Sequence, residues 1–182
     1  MGIVSHNKSF FLFLGKFAVA YLVLSGIYMA YLTNYEEQVP VTDPVTHSVA
    51  RQTAALVHFF GDVAQLKQHP QEASDIFYVN RKSVARVVEG CNAISVMILF
   101  TAFIVAFSTT FKRTALYIVA GIVVIHLLNV LRIALISMGV YYYPGYTRFL
   151  HDIVFPLFIY GVVFLLWVLW VLKFYKNGNR VA

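Results

Sequence analysis

The apolar positions of this chain fall in long uninterrupted runs instead of recurring at helical or strand spacing. A helix needs roughly 20 apolar residues to cross the ~30 Å hydrocarbon core of a bilayer. Four segments meet or nearly meet that length, residues 10–32, 91–111, 114–140 and 153–172. Short connections at 108–114 and 141–150 make the second, third and fourth runs antiparallel neighbours. The expected fold is an all-α membrane protein, a four-helix transmembrane bundle forming one polytopic domain over residues 1–182.

One polar stretch of any size interrupts the runs, residues 33–90, too poor in apolar residues to stand as an independent domain. Asp43 followed by Pro44 reads as a helix N-cap with proline in the first helical position. Val45, Val49, Leu56, Phe60 and Val63 then recur at helical spacing, with Arg51, Gln52, Asp62 and Gln65 around the rest of the wheel. That pattern predicts an extracytoplasmic amphipathic helix, lying on the outer leaflet or covering the mouth of the bundle, weakened at Gly61 and broken at His69-Pro70. From Ile76 onward, β-branched and aromatic residues flank the polar turn Asn80-Arg81-Lys82, which predicts a short β-hairpin feeding into the second span. The rival reading is a helix from Ser83 continuous with that span.

Of the 182 residues 60% are hydrophobic and 12% charged, a membrane composition. The net charge of +6 does not point to nucleic acid, because the cations sit at the ends of the runs and form no single patch. Lys8, Lys16, Lys112, Arg113, Lys173, Lys176 and Arg180 share one side of a four-pass chain, and the positive-inside rule makes that side, with both termini, cytoplasmic. Arg51, Lys67, Arg81, Lys82 and Arg86 fall in the long loop, where charge weighs little, and Arg148 in a short one. The first run is too long for a secretory leader and passes through Tyr28 and Tyr31 without a small-residue cleavage pattern, so it reads as a retained anchor among membrane lipids. The aromatic stretch 141–146 suits an interfacial belt.

On this topology three distinctive residues reach one depth. Cys91 opens the second span, Arg132 lies near the outer end of the third, and His151 opens the fourth. A charge inside a transmembrane helix costs ~2.5–3.5 kcal/mol on insertion scales, which makes Arg132 the strongest signal, against the alternative that its side chain reaches the head groups. Asn129, three residues earlier, shares its helix face and could hold the guanidinium or serve as interhelical glue. A lone cysteine is ordinarily a small buried hydrophobe. At a helix N-terminus beside an arginine, however, the thiolate is favoured, and the thiolate is the nucleophile. An imidazole at His151 could exchange a proton with that sulfur and then protonate a leaving amine. His126, deeper and rotated away from Arg132, competes for this role. Glu89 could orient His151 or bind a substrate amine, or be a solvated acid beside the membrane.

Glu89-Gly90-Cys91-Asn92 at the head of one span, Asn129-Val130-Leu131-Arg132-Ile133 in the next, and His151 opening the one after resemble the three signature blocks of the exosortase and archaeosortase family. The compact length and the Glu-Gly-Cys-Asn-Ala wording are similar to the short exosortase F type, over residues 83–170. The resemblance implies a multi-pass enzyme of the bacterial cytoplasmic membrane with its active site at the extracytoplasmic face, no cofactor and no metal. Its partner would be a protein substrate carrying a C-terminal sorting signal of short motif, transmembrane helix and basic tail. The enzyme would cut near the motif through a thioester and pass the new carboxyl end to an acceptor. By position, Cys91 is then the nucleophile, Arg132 the stabilising cation and His151 the acid-base residue. Two departures stand out: Ala93 occupies a position where many members have glycine, and larger members have about twice as many spans. Outside the resemblance stand a non-catalytic membrane scaffold, a haem or quinone protein with His126 and His151 as axial ligands, and a transporter, for which four spans offer few midplane charges.

Overall fold

The computed structural model describes residues 8–36, 41–108 and 110–175. Of the cations at the runs' ends, Lys176 and Arg180 lie outside the described residues. Helix α1 (Lys8–Glu36) is apolar around most of its circumference, as a membrane-spanning segment with a single packed face must be. The second hydrophobic run gives a much shorter helix than its composition suggests. A 3-10 turn, Glu89–Cys91, precedes it, Ala93 takes a left-handed backbone (φ 63°, ψ 12°), and only then does α3 (Ile94–Ala106) begin. Its 13 residues rise about 20 Å, short of a full hydrocarbon core.

Helix α4 (Phe111–Tyr142) is continuous over 32 residues. The last run begins earlier than its apolar composition indicates. It opens with a 3-10 turn Pro144–Tyr146, a single turn α5 (Thr147–Phe149) and a π-helical segment Leu150–Val154. It continues as α6 (Phe155–Leu169) and a second π-helical segment, Trp170–Tyr175. Among the described residues three helices are therefore long and apolar enough to cross a membrane, Phe10–Tyr35, Phe111–Tyr142 and Pro144–Lys173, with α3 as a shorter apolar partner. Of the four expected spans the second, residues 91–111, forms a shorter helix: the delayed start at Ile94 and the stop at Ala106 remove about a turn from each end.

Helices α1 and α3 run antiparallel over matching stretches, 13–28 in one and 92–107 in the other. At one end the rings of Phe13 and Phe107 lie 4.4 Å apart, and at the other the Asn92 amide donates to the Tyr28 hydroxyl at 2.9 Å. That paired stretch is about 22 Å long. Since α1 continues for two more turns past Tyr28, the cysteine turn sits well below its end.

Beyond the helices that can span lies a cap made from residues 41–88. Helix α2 (Pro44–Phe59) starts as the Asp43-Pro44 pair predicts: Asp43 Oδ1 accepts from the backbone N–H of Val45 at 3.1 Å and of Thr46 at 3.0 Å, and Pro44 supplies the first residue. It buries Thr46, Val49, Ala50, Thr53 and Val57, whereas Val45 and Phe60 stand exposed. The buried stripe is rotated from the purely apolar one because the helix packs on protein, where small residues permit close approach. The helix also ends sooner than expected. Gly61 adopts φ +96°, which suits glycine and terminates the helix before Val63.

Residues that the periodicity carries on as helix form a strand instead, β1 (Ala64–Gln68), antiparallel to β2 (Asp75–Val79), which pairs antiparallel with β3 (Lys82–Val87) in the order β1-β2-β3. In β2, buried Asp75, Phe77 and Val79 alternate with half-buried neighbours. The β2–β3 connection has positive φ at both Asn80 and Arg81, the requirement of a two-residue type I′ turn.

Two hydrophobic clusters hold these parts together. One joins α2 (Val49, Ala50, Val57), the sheet (Phe77, Val79, Val87) and one length of α4 (Val130, Ile133, Ala134), with Cys91 packed against it. The other joins α3 (Met97, Phe100, Ile104), Ile125 of α4 and the last helix (Ile159, Val163, Trp170), and it begins at Ala93.

Candidate functional site

Cys91 closes the 3-10 turn, its N–H donating to Val88 O at 2.8 Å, and it is half-buried against the first of the two clusters. It does not itself open α3, contrary to the reading of Cys91 as the first residue of the span. Ala93 takes the N-cap position in a left-handed conformation, and Asn92 Oδ1 accepts from Ile94 N–H at 2.9 Å across it.

The next helix presents Asn129 to this turn. It is fully buried, and its Nδ2 donates to the Cys91 carbonyl at 2.7 Å while its Oδ1 accepts from Arg132 Nη1 at 3.2 Å. One amide thus ties the backbone of the cysteine to the guanidinium, across a separation in sequence that only the antiparallel packing of α3 and α4 removes. Arg132 is half-buried, and its Nε has no hydrogen-bond partner among the described residues. A buried donor without an acceptor costs ~1–3 kcal/mol, and a charged one more. A donor of this kind can bind an anionic oxygen.

Glu89 is half-buried, and its carboxylate lies near the Tyr28 hydroxyl of α1. His126, a turn below Asn129, has its Nε2 2.7 Å from Oε1 of Gln52 on α2. His151 lies in the π-helical segment Leu150–Val154, and its side chain lies outside the described residues. Its neighbour Leu150 packs on α4 at Gly139, where an added Cβ would stand 3.1 Å from Leu150 Cδ1. Gly139 and Arg132 share a face of α4, two turns and about 10 Å apart.

Asn129 therefore links the Cys91 backbone to the Arg132 side chain, and Glu89 lies on the same turn as the cysteine. Residue patterns gave no site role to Tyr28, Thr46 or Asn92, although Asn92 Nδ2 donates to both Tyr28 Oη and Thr46 Oγ1. The available signal was a tyrosine inside an apolar run and an asparagine directly after the cysteine; Thr46 carries none. Among the described residues no group of three or more His, Cys, Asp or Glu side chains is placed to hold a metal ion.

Comparison with curated proteins and with solved structures gives no match. A family model described as transmembrane exosortase matches residues 9–173. That stretch takes in all four hydrophobic helices, the cap and the cysteine–asparagine–arginine contact, and on this match the chain belongs to the transmembrane exosortase family.

Proposed function

We propose that the protein is a membrane-embedded cysteine transpeptidase that cleaves C-terminal sorting signals of exported proteins. Cys91 Sγ attacks the scissile carbonyl carbon and the C=O electrons move onto oxygen. Arg132 faces that oxyanion, where a fixed cation in a dry site acts most strongly. Collapse of the tetrahedral intermediate breaks the C–N bond, His151 gives the departing amine its proton, and a thioester on Cys91 remains. An acceptor nucleophile then attacks the thioester and releases the thiol. Asn129 sets the arginine against the cysteine, and Glu89 supports the turn from the other side. The orientation that fits the cation distribution places both termini in the cytoplasm and this turn below the extracytoplasmic surface.

The observation that carries the reading is the Asn129 bridge, which ties a half-buried guanidinium with a buried, unpartnered Nε to the turn of the chain's only thiol. The test is co-expression with a candidate tail-anchored substrate, trapping an adduct on Cys91 and locating it by mass spectrometry. Cys91→Ala, Arg132→Ala and His151→Ala should each abolish processing while the protein stays in the membrane. Normal processing by the Cys91→Ala protein would end the proposal.

A further inference from the structure

Asn92 is 2% exposed, yet each of its polar atoms is engaged. Its Nδ2 spends one N–H on the Tyr28 hydroxyl of α1, at 2.9 Å, and the other on Thr46 Oγ1 of α2, at 3.0 Å, while its Oδ1 accepts from Ile94 N–H at 2.9 Å. An asparagine amide has two N–H donors, and here both are used by different helices. On the other side of the same peptide unit, the Cys91 carbonyl is held by Asn129 of α4 at 2.7 Å. Thr46 is fixed in turn by the Asp43 cap that accepts its N–H.

We propose that Asn92 is a positioning residue for Cys91, and that through Thr46 it makes the cap helix α2 part of the apparatus that aims the nucleophile. The peptide joining residues 91 and 92 is pinned by three helices: α4 through the carbonyl, α1 and α2 through the Asn92 amide. The sulfur is left with its side-chain torsion as its main freedom. Positioning of this kind matters because a displacement of about 1 Å at a reacting atom can cost ~10²-fold in rate. The clamp also accounts for a polar helix start at Thr46 facing inward, where an apolar residue would pack as well, and for Ala93 being held left-handed directly after it.

This inference rests on Cys91 being the nucleophile, and its test is arranged to fail separately from that reading. Since Cys91 is the chain's only thiol, its rate of alkylation by iodoacetamide in native membranes reports its setting without any turnover. Thr46→Val keeps the shape of a distant residue on α2 and removes one acceptor; Tyr28→Phe removes the other. Each should raise the alkylation rate at least ~3-fold and lower kcat for substrate processing by ~10-fold, with KM changed less than ~2-fold. Thr46→Ser, which keeps the hydroxyl, should restore both readouts. Asn92→Ala should give the largest change, ~10²-fold in kcat. Wild-type alkylation and wild-type kcat in both Thr46→Val and Tyr28→Phe would overturn the clamp, whatever becomes of Asn92→Ala folding. An equal rise in KM with no change in kcat would also overturn it, by showing a role in binding. Altered alkylation in a protein that processes nothing even as wild type would leave the clamp standing and remove the proposed function.

Discussion

The two hydrophobic clusters are built on different principles, and the candidate site lies on the seam between them. The lower one, of α3, the adjoining part of α4 and the last helix, is nearly all aliphatic and aromatic, with a few hydrogen bonds such as Trp170 Nε1 to Phe107 O at 3.1 Å. Helices there approach closely enough that a Cβ on Gly121 would fall 2.2 Å from the Phe100 ring. The upper cluster mixes a helix, a sheet and one length of α4, and its edges are polar: Asp62 accepts from Asn80 and Tyr142 at 2.7 and 2.8 Å, and His47 meets the buried Asp75 at 2.9 Å. At the junction Cys91 packs against the upper cluster and Ala93 belongs to the lower. Asn92 and Asn129, both almost wholly buried, stand between. A bilayer supplies neither water nor hydrogen bonds to such groups, so their polarity must be satisfied within the protein. The lower cluster can be insulation, while the seam is where polar chemistry has been admitted.

The largest effect should follow from cutting the seam. Asn129→Ala leaves the Cys91 carbonyl and Arg132 Nη1 without their shared partner, and processing should fall by ~10²-fold or more through misplacement of reacting groups. An orphaned carbonyl should also lower stability by ~1–3 kcal/mol. Turnover per folded molecule, with the folded fraction read by thermal unfolding in detergent, separates the two. Arg132→Lys comes next. A lysine keeps the charge but loses the fork that can bond Asn129 and an oxyanion together. Steady-state kinetics should show kcat lower by ~10-fold with KM little changed; a change confined to KM would place the arginine in substrate binding.

The opposite pattern should come from Gly121→Ala, in the lower cluster. Overpacking against the buried Phe100 ring should cost ~1–3 kcal/mol of stability, read as a lower unfolding midpoint. Processing per folded molecule should stay within ~3-fold of wild type, since residues far from the reacting groups act on the folded fraction and leave the transition state alone. A loss of turnover as large as that of Asn129→Ala would mean that the clusters are not separable.

How far the sequence anticipates these two regions follows from where each signal originates. Arg132 and Asn129 are conspicuous because polar groups in an apolar run are expensive wherever the chain folds, and Cys91 because it is alone. The clamp on Asn92 was not legible: Thr46 and Tyr28 acquire meaning only when α1 and α2 converge on one turn. Periodicity also misjudged the cap. Val63 and Gln65 continue the helical pattern by residue type, but the positive φ of Gly61 turns the chain before them, and burial of Ala64 and Leu66 then recruits the segment as a strand. The length of α3 was hidden similarly, because a backbone reversal at an alanine leaves no mark in hydropathy.

That reversal supplies the finest test of the seam. Ala93 has φ 63°, a conformation that costs an L-residue roughly 1–2 kcal/mol and glycine little. Ala93 is also 5% exposed, so Ala93→Gly removes a buried methyl worth about 0.8 kcal/mol and adds backbone freedom to the unfolded chain. The terms oppose one another, and the net change should lie within about 1 kcal/mol, with processing retained. Glycine, which the resemblance leads one to expect at this position, adopts such a φ without strain. Ala93→Val is the counterpart: a β-branched side chain resists positive φ and would have to enter the lower cluster beside Met97. It should lower both the unfolding midpoint and the processing rate, by displacing the turn that carries Cys91. Equal behaviour of the glycine and valine proteins in both assays would show that the backbone at Ala93 does not set the position of the cysteine.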